Sequence, residues 1–157
     1  MAAWFRCNAM AELKAAESKE AESKAGFYIH VPFVEHLGIR ILEKGDGVVK
    51  LRLDPRAEFA NSWGSVHGGV LMTMLDVALA SAGRALDEKC NGALTVEMKV
   101  NFIAAATGPV LGEGRAQRAG RSLIFSEGEL RSEDGTLLAK ATGTFKLLYP
   151  KLETLQG

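Results

Sequence analysis

Between His67 and Arg84 the sequence carries a single formal charge, Asp76. Around it Val70, Leu71, Met72, Met74, Leu75, Val77, Ala78, Leu79, Ala80 and Ala82 cover every face of a helix. A helix that is apolar all round has to be enclosed by the rest of the chain. This segment, 69–86, is the only long helical candidate in the core, and the chain beyond it reads as strand. Residues 95–102 alternate, with Val96, Met98, Val100 and Phe102 set against Thr95, Glu97, Lys99 and Asn101. Strand-like runs at 110–119, 122–132 and 137–148 are separated by turns at Gly120-Arg121 and Glu133-Asp134-Gly135. Before the helix, Pro32 and Gly38 bracket one helical turn, and runs 39–43 and 48–53 meet through Gly45-Asp46-Gly47. Residues 54–66 read as loop. The order is two strands, one buried helix, four strands. Short hairpin links make the sheet antiparallel. A curved antiparallel sheet wrapped around one helix is the economical α+β solution.

At 157 residues the chain has the length of one domain. A chain of about 150 residues buries roughly 68–70% of its unfolded surface, enough for a core of its own. Lys+Arg 19 balances Asp+Glu 19, so no global field draws nucleic acid or an anionic membrane to it. Cys7 and Cys90 are too isolated for a disulfide framework or a zinc ribbon, and read as free thiols in a reducing compartment. Arg6, Glu12 and Lys14 break the only N-terminal stretch that could serve as a signal peptide. The expectation is a soluble cytoplasmic protein. Residues 1–26, rich in Ala, Glu, Lys and Ser, read as an extension, an exposed helix or a frayed tail, with Met10 as an alternative start. Residues 27–157 form the single domain.

Several chemistries lack their signatures. There is no G-x-S-x-G, no phosphate-binding glycine loop, and no metal-ligand spacing among His30, His36 and His67. What remains is the stretch from Asn61 to Gly69, running into the helix, and Asp76 on the helix. A carboxylate on an otherwise apolar helix is expected to be desolvated, which is costly without a partner or a function. Either it caps a loop or pairs with an arginine, or it does chemistry. His67-Gly68-Gly69 is either an ordinary glycine-containing helix start or a place where unpaired N–H groups and the helix dipole polarise a carbonyl oxygen.

Asn61, His67-Gly68-Gly69 and Asp76, with a strand opening Thr95-Val96-Glu97-Met98 after them, resemble the hotdog-fold thioesterases. Within them the pattern is most similar to the phenylacetate-degradation and 4-hydroxybenzoyl-CoA (second type) thioesterases. The resemblance spans 34–148. It implies hydrolysis of acyl-CoA thioesters, with coenzyme A as part of the substrate and no metal or other cofactor. It also implies a homodimer and, by packing of two dimers, a homotetramer. Asn61 and the Gly68 N–H would hold the thioester carbonyl, and Asp76 would be nucleophile or general base. His67 would orient the substrate, and Thr95 would position the water. Gly69 and the Gly120-Arg121-Ser122 turn match substrate-binding positions. Arg118 and Arg121 are either phosphate partners or solvated turn arginines.

Spacing adds a constraint of its own. Gly68 and Asp76 lie eight residues apart, which on one helix means ~12 Å of rise and ~80° of rotation. Attack on a carbonyl needs ~3–6 Å. If both assignments hold, the site combines two subunits. Two other readings stay open: a hotdog hydroxyacyl-thioester dehydratase, and a non-catalytic acyl-CoA sensor or structural dimer. Neither accounts as well for Asn61 together with Asp76. Trp63, Phe102 and the run Ala104-Ala105-Ala106 are candidates for shaping a pocket, with no position fixed by sequence.

Overall fold

The computed structural model describes residues 31–87, 89–118 and 122–150. The expectations for 1–26, for Arg121 and for the Gly120-Arg121 turn lie outside these residues. Pro32 opens a short helix, α1 (Pro32–Leu37), and Gly38 closes it in the left-handed region at φ 72. Strands β1 (Arg40–Gly45) and β2 (Val48–Leu53) come next. Asp46 at φ 48 and Gly47 at φ 76 make the two-residue turn between them. Two consecutive positive φ values are what a tight hairpin turn of the type I′ kind demands. The first strand begins and ends later than expected, because Gly38 and Ile39 still belong to the helix exit. The expected loop contains a 3-10 turn, Ala57–Phe59, and an isolated bridge between Ala60 and Val66.

The long helix α2 runs Gly68–Arg84. After it come β3 (Gly92–Phe102), β4 (Val110–Arg118), β5 (Leu123–Ser132) and β6 (Leu137–Leu148). All six strands form one antiparallel sheet in the order β1-β2-β4-β5-β6-β3. The helix crosses one face of it. Its core stripe, Leu71, Met74, Leu75, Ala78, Leu79 and Ala82, has the i, i+3, i+4 spacing of a one-sided apolar face and is almost fully enclosed. A bare strand backbone sets the helix height: a Cβ on Gly114 would lie 2.5 Å from the Ala78 carbonyl oxygen. Replacing that glycine would lift the helix off the sheet. Among the described residues no helix is long and apolar enough to cross a membrane.

Two expectations need correction. The helix is not enclosed on every side in the single chain. Met72 is 46% exposed, and Thr73, Asp76 and Ala80 beside it are only partly buried. The sheet covers one face and leaves an open stripe next to β3. The second correction concerns β3, whose simple alternation does not hold. Thr95 pairs with Phe145 but Glu97 pairs with Thr144, so one extra residue sits in β3 at Val96. Such a bulge reverses which side chains face the core. Phe145 is fully buried, and directly opposed residues share a face. Thr95 therefore points to the helix side, as Met98, Val100 and Phe102 do. Val96, expected inside, is 60% exposed.

Candidate active site

At the start of α2 the chain folds back on itself. The Asn61 N–H donates to the Ser65 carbonyl at 2.7 Å, and the His67 N–H to the Phe59 carbonyl at 2.7 Å. Asn61 Oδ1 accepts from the backbone N–H groups of Trp63, at 2.9 Å, and Ser65, at 3.2 Å. Its Nδ2 donates to Ser65 Oγ at 2.9 Å. An amide nitrogen carries two donors, so one N–H of Asn61 is left over after the loop is braced. Trp63, at the tip, is 89% exposed.

His67 is the N-cap. Its backbone is extended, and its Nδ1 accepts from the Gly69 N–H at 2.9 Å. Nδ1 as acceptor puts the ring proton on Nε2 in the neutral form. This bond occupies the Gly69 amide. The Gly68 N–H, at the first helical position, has no carbonyl one turn back to bond. Gly68 is thus the first-turn donor that stays available at the positive end of the helix dipole.

Asp76 lies in the middle of the helix, on its open stripe. The Thr95 hydroxyl donates to Asp76 Oδ1 at 2.7 Å. The β3 bulge makes this bond, because without it Thr95 would face away. Asp76 is half-buried rather than enclosed, so the expected full desolvation is not found. No arginine pairs with it among the described ion pairs, and it caps no loop. Its partner is a hydroxyl, on the stripe of the helix that the sheet leaves open.

The structure therefore brings Asp76 together with Thr95 at the middle of α2, and braces the Asn61 loop just ahead of the His67-Gly68 start of the same helix. It does not join the two, since Gly68 and Asp76 lie eight residues apart on the single helix Gly68–Arg84. Ser122 accepts from the Leu147 N–H at 2.7 Å through its carbonyl, and the side chain of Arg118 lies outside the described residues. A residue not placed by sequence is Phe102. Its ring comes within 3.5 Å of where a Cβ on Gly68 would stand. A groove of about 560 Å³ crosses the outer sheet face. Two of the ion pairs lining it, Arg115–Glu113 and Lys140–Glu129, are already closed, and no residue of either cluster reaches it.

Comparison with known proteins gives a consistent picture. The family model described as "Thioesterase superfamily" matches residues 64–139. The chain is 34% identical over 113 residues to the protein named "Putative esterase SSO2140" of Saccharolobus solfataricus, covering 71% of this chain and 79% of that one. It is 24% identical over 135 residues to the medium/long-chain acyl-CoA thioesterase YigI of Salmonella typhimurium, covering 76% and 87%. Among solved structures it superposes on the conserved protein PA5202 of Pseudomonas aeruginosa with TM-score 0.71 at 34% identity, covering 76% of this chain and 95% of that one.

Proposed function

Since the chain belongs to the thioesterase superfamily and has its hotdog fold, we propose that it hydrolyses acyl-CoA thioesters to the free acid and coenzyme A. The observation that carries this reading is the Thr95–Asp76 bond. It fixes a half-buried carboxylate on the open stripe of the same helix whose first turn offers the Gly68 N–H. The thioester carbonyl oxygen accepts from the Gly68 N–H and from the spare N–H of Asn61. Both donors stabilise the oxyanion that forms on attack. Asp76 acts as nucleophile, or as general base on a water that donates its proton to the carboxylate. Thr95 spends its hydroxyl proton on Asp76 and keeps lone pairs that accept from that water. Collapse of the tetrahedral intermediate expels the coenzyme A thiolate; on the nucleophile route a water then cleaves the acyl–Asp76 anhydride, giving the free acid and restoring the carboxylate. His67 works by capping, fixing the turn that presents Gly68. The likeness to an acyl-CoA thioesterase of medium and long chains supports an apolar acyl group. Arg118, Arg121 and Ser122 are assigned to the coenzyme A end. The active form is cytoplasmic.

The clusters meet across a two-fold axis. β3 is an edge strand of eleven residues with Leu94 and Val96 exposed at 54% and 60%, a ready template for another strand. Asp76 sits at Thr95, and Gly68 sits at Phe102. Antiparallel pairing of β3 with its copy about an axis through Lys99, with Val96 again the extra residue, sets Thr95 opposite Phe102 of the partner subunit. Asp76 then approaches the partner's Gly68, and symmetry makes two equal sites. Two such dimers form the tetramer.

The test is thiol release from acetyl-, butyryl-, octanoyl-, benzoyl- and phenylacetyl-CoA. Steady turnover of at least one supports hydrolysis. Binding without thiol release favours a sensor, and a new double-bond absorbance from a hydroxyacyl-CoA favours a dehydratase.

A further inference from the structure

We propose that Phe102 selects the acyl group: its ring is the apolar wall against which the acyl chain lies, beside the Gly68 N–H. This rests on the thioesterase reading above and adds a specificity residue to it. Three ring carbons lie 3.5, 3.5 and 3.9 Å from the point a Cβ on Gly68 would occupy. The ring therefore borders the donor that takes the carbonyl oxygen. In the single chain it is also 54% exposed, which leaves a flat apolar surface that this chain's own core does not cover. Its strand neighbour Ala139 is fully buried, so the ring projects from the core side of β3.

The chemistry of the substrate decides what that surface meets. A carbonyl held at Gly68 carries two substituents, the acyl chain and the sulfur leading to the pantetheine arm. The arm presents amides, which lose hydrogen bonds against a ring, whereas an acyl chain gains by covering it. In the antiparallel pairing of β3, Phe102 also stands opposite the partner's Thr95. The ring then borders both halves of the site, where the first carbons of the acyl group must pass. Filling or emptying such an apolar wall changes selectivity between acyl groups by roughly 10- to 200-fold per methylene-scale change.

The variants Phe102→Leu and Phe102→Ala test this. Elution volume and thermal midpoint establish that each is folded and assembled. The two readouts are kcat/KM by thiol release over the acyl-CoA panel, and Kd for non-hydrolysable thioether analogues bearing the same acyl groups. The expected result is a change of profile. The ratio of octanoyl or phenylacetyl to butyryl shifts toward the bulkier groups by at least about tenfold in Phe102→Ala, with Phe102→Leu in between. Affinity for coenzyme A without an acyl group stays the same. A uniform fall for every acyl group, or an unchanged profile in folded variants, overturns the proposal. A wild type that binds the analogues with Phe102-dependent selectivity yet releases no thiol sinks the hydrolase reading and leaves the acyl contact standing.

Discussion

The Thr95 hydroxyl donates to Asp76 Oδ1 at 2.7 Å, joining the edge strand to the middle of the helix. The bond exists because one extra residue at Val96 turns Thr95 inward. It makes the two side chains one unit, and their roles separate by substitution. Thr95→Val keeps the shape and removes the donor, while Thr95→Ser keeps the donor. A hydrogen bond to a charged group is worth roughly 1.5–3 kcal/mol. kcat of Thr95→Val is therefore expected to fall on the order of 10- to 100-fold, and Thr95→Ser to stay within a few-fold of wild type. Equal rates for Thr95→Val and wild type would remove Thr95 from the mechanism.

Asp76→Asn is expected to abolish most turnover and leave the fold intact. The carboxylate is half-buried and makes one side-chain hydrogen bond. Asn keeps an oxygen that accepts from the Thr95 hydroxyl, so only the charge-assisted part of that bond is lost and stability should change by about 1 kcal/mol. Thermal unfolding and thiol release measure the two effects separately. A folded variant retaining a tenth of wild-type kcat would contradict the catalytic role.

His67 is expected to matter first as a cap. Loss of the Nδ1 acceptor at Gly69 should make His67→Ala about 1 kcal/mol less stable in denaturant unfolding. His67→Asn, which supplies another capping oxygen, should recover most of that. Equal destabilisation by both variants would show that the cap is not what His67 contributes to the fold.

The β5–β6 turn supplies a control away from the site. Hydrogen bonds from Ser132 Oγ and the Thr136 N–H hold Asp134 down to about 2. A folded value below the unfolded one contributes stability that is present above about 4 and is lost as pH falls toward 2. Asp134→Asn should therefore flatten the acid side of the stability curve and leave kcat at neutral pH unchanged. An acid limb identical to that of wild type would contradict the assignment.

Much of the frame was legible because turn residues punctuate it. Strands 48–53 and 137–148 match residue for residue, since Gly45-Asp46-Gly47 and Glu133-Asp134-Gly135 fix their starts. The bulge at Val96 was not legible. It is a two-against-one choice made when β3 pairs with β6, and the strand's own alternation gives no sign of it. Nor could His67 be read as a cap, because histidine is not among the preferred capping residues. The apolar helix suggested enclosure, but only the contact partners decide which stripe stays open. Asp76 and Thr95 were legible as separate candidates, and their bond only in three dimensions. Phe102 was legible as bulky and unplaced; its position against Gly68 comes from where the end of β3 meets the helix start.

The central claim is that one site is built from two chains, and complementation tests it most directly. Asp76→Ala chains and Asn61→Ala chains, each nearly inactive alone, are unfolded, mixed in equal amounts and refolded. About half of the dimers are then mixed, and each mixed dimer holds one site with an intact Asn61 from one chain and an intact Asp76 from the other. With independent sites, thiol release should return to about a quarter of the wild-type rate. A mixture with heterodimers verified by mass and no recovery would contradict the shared site.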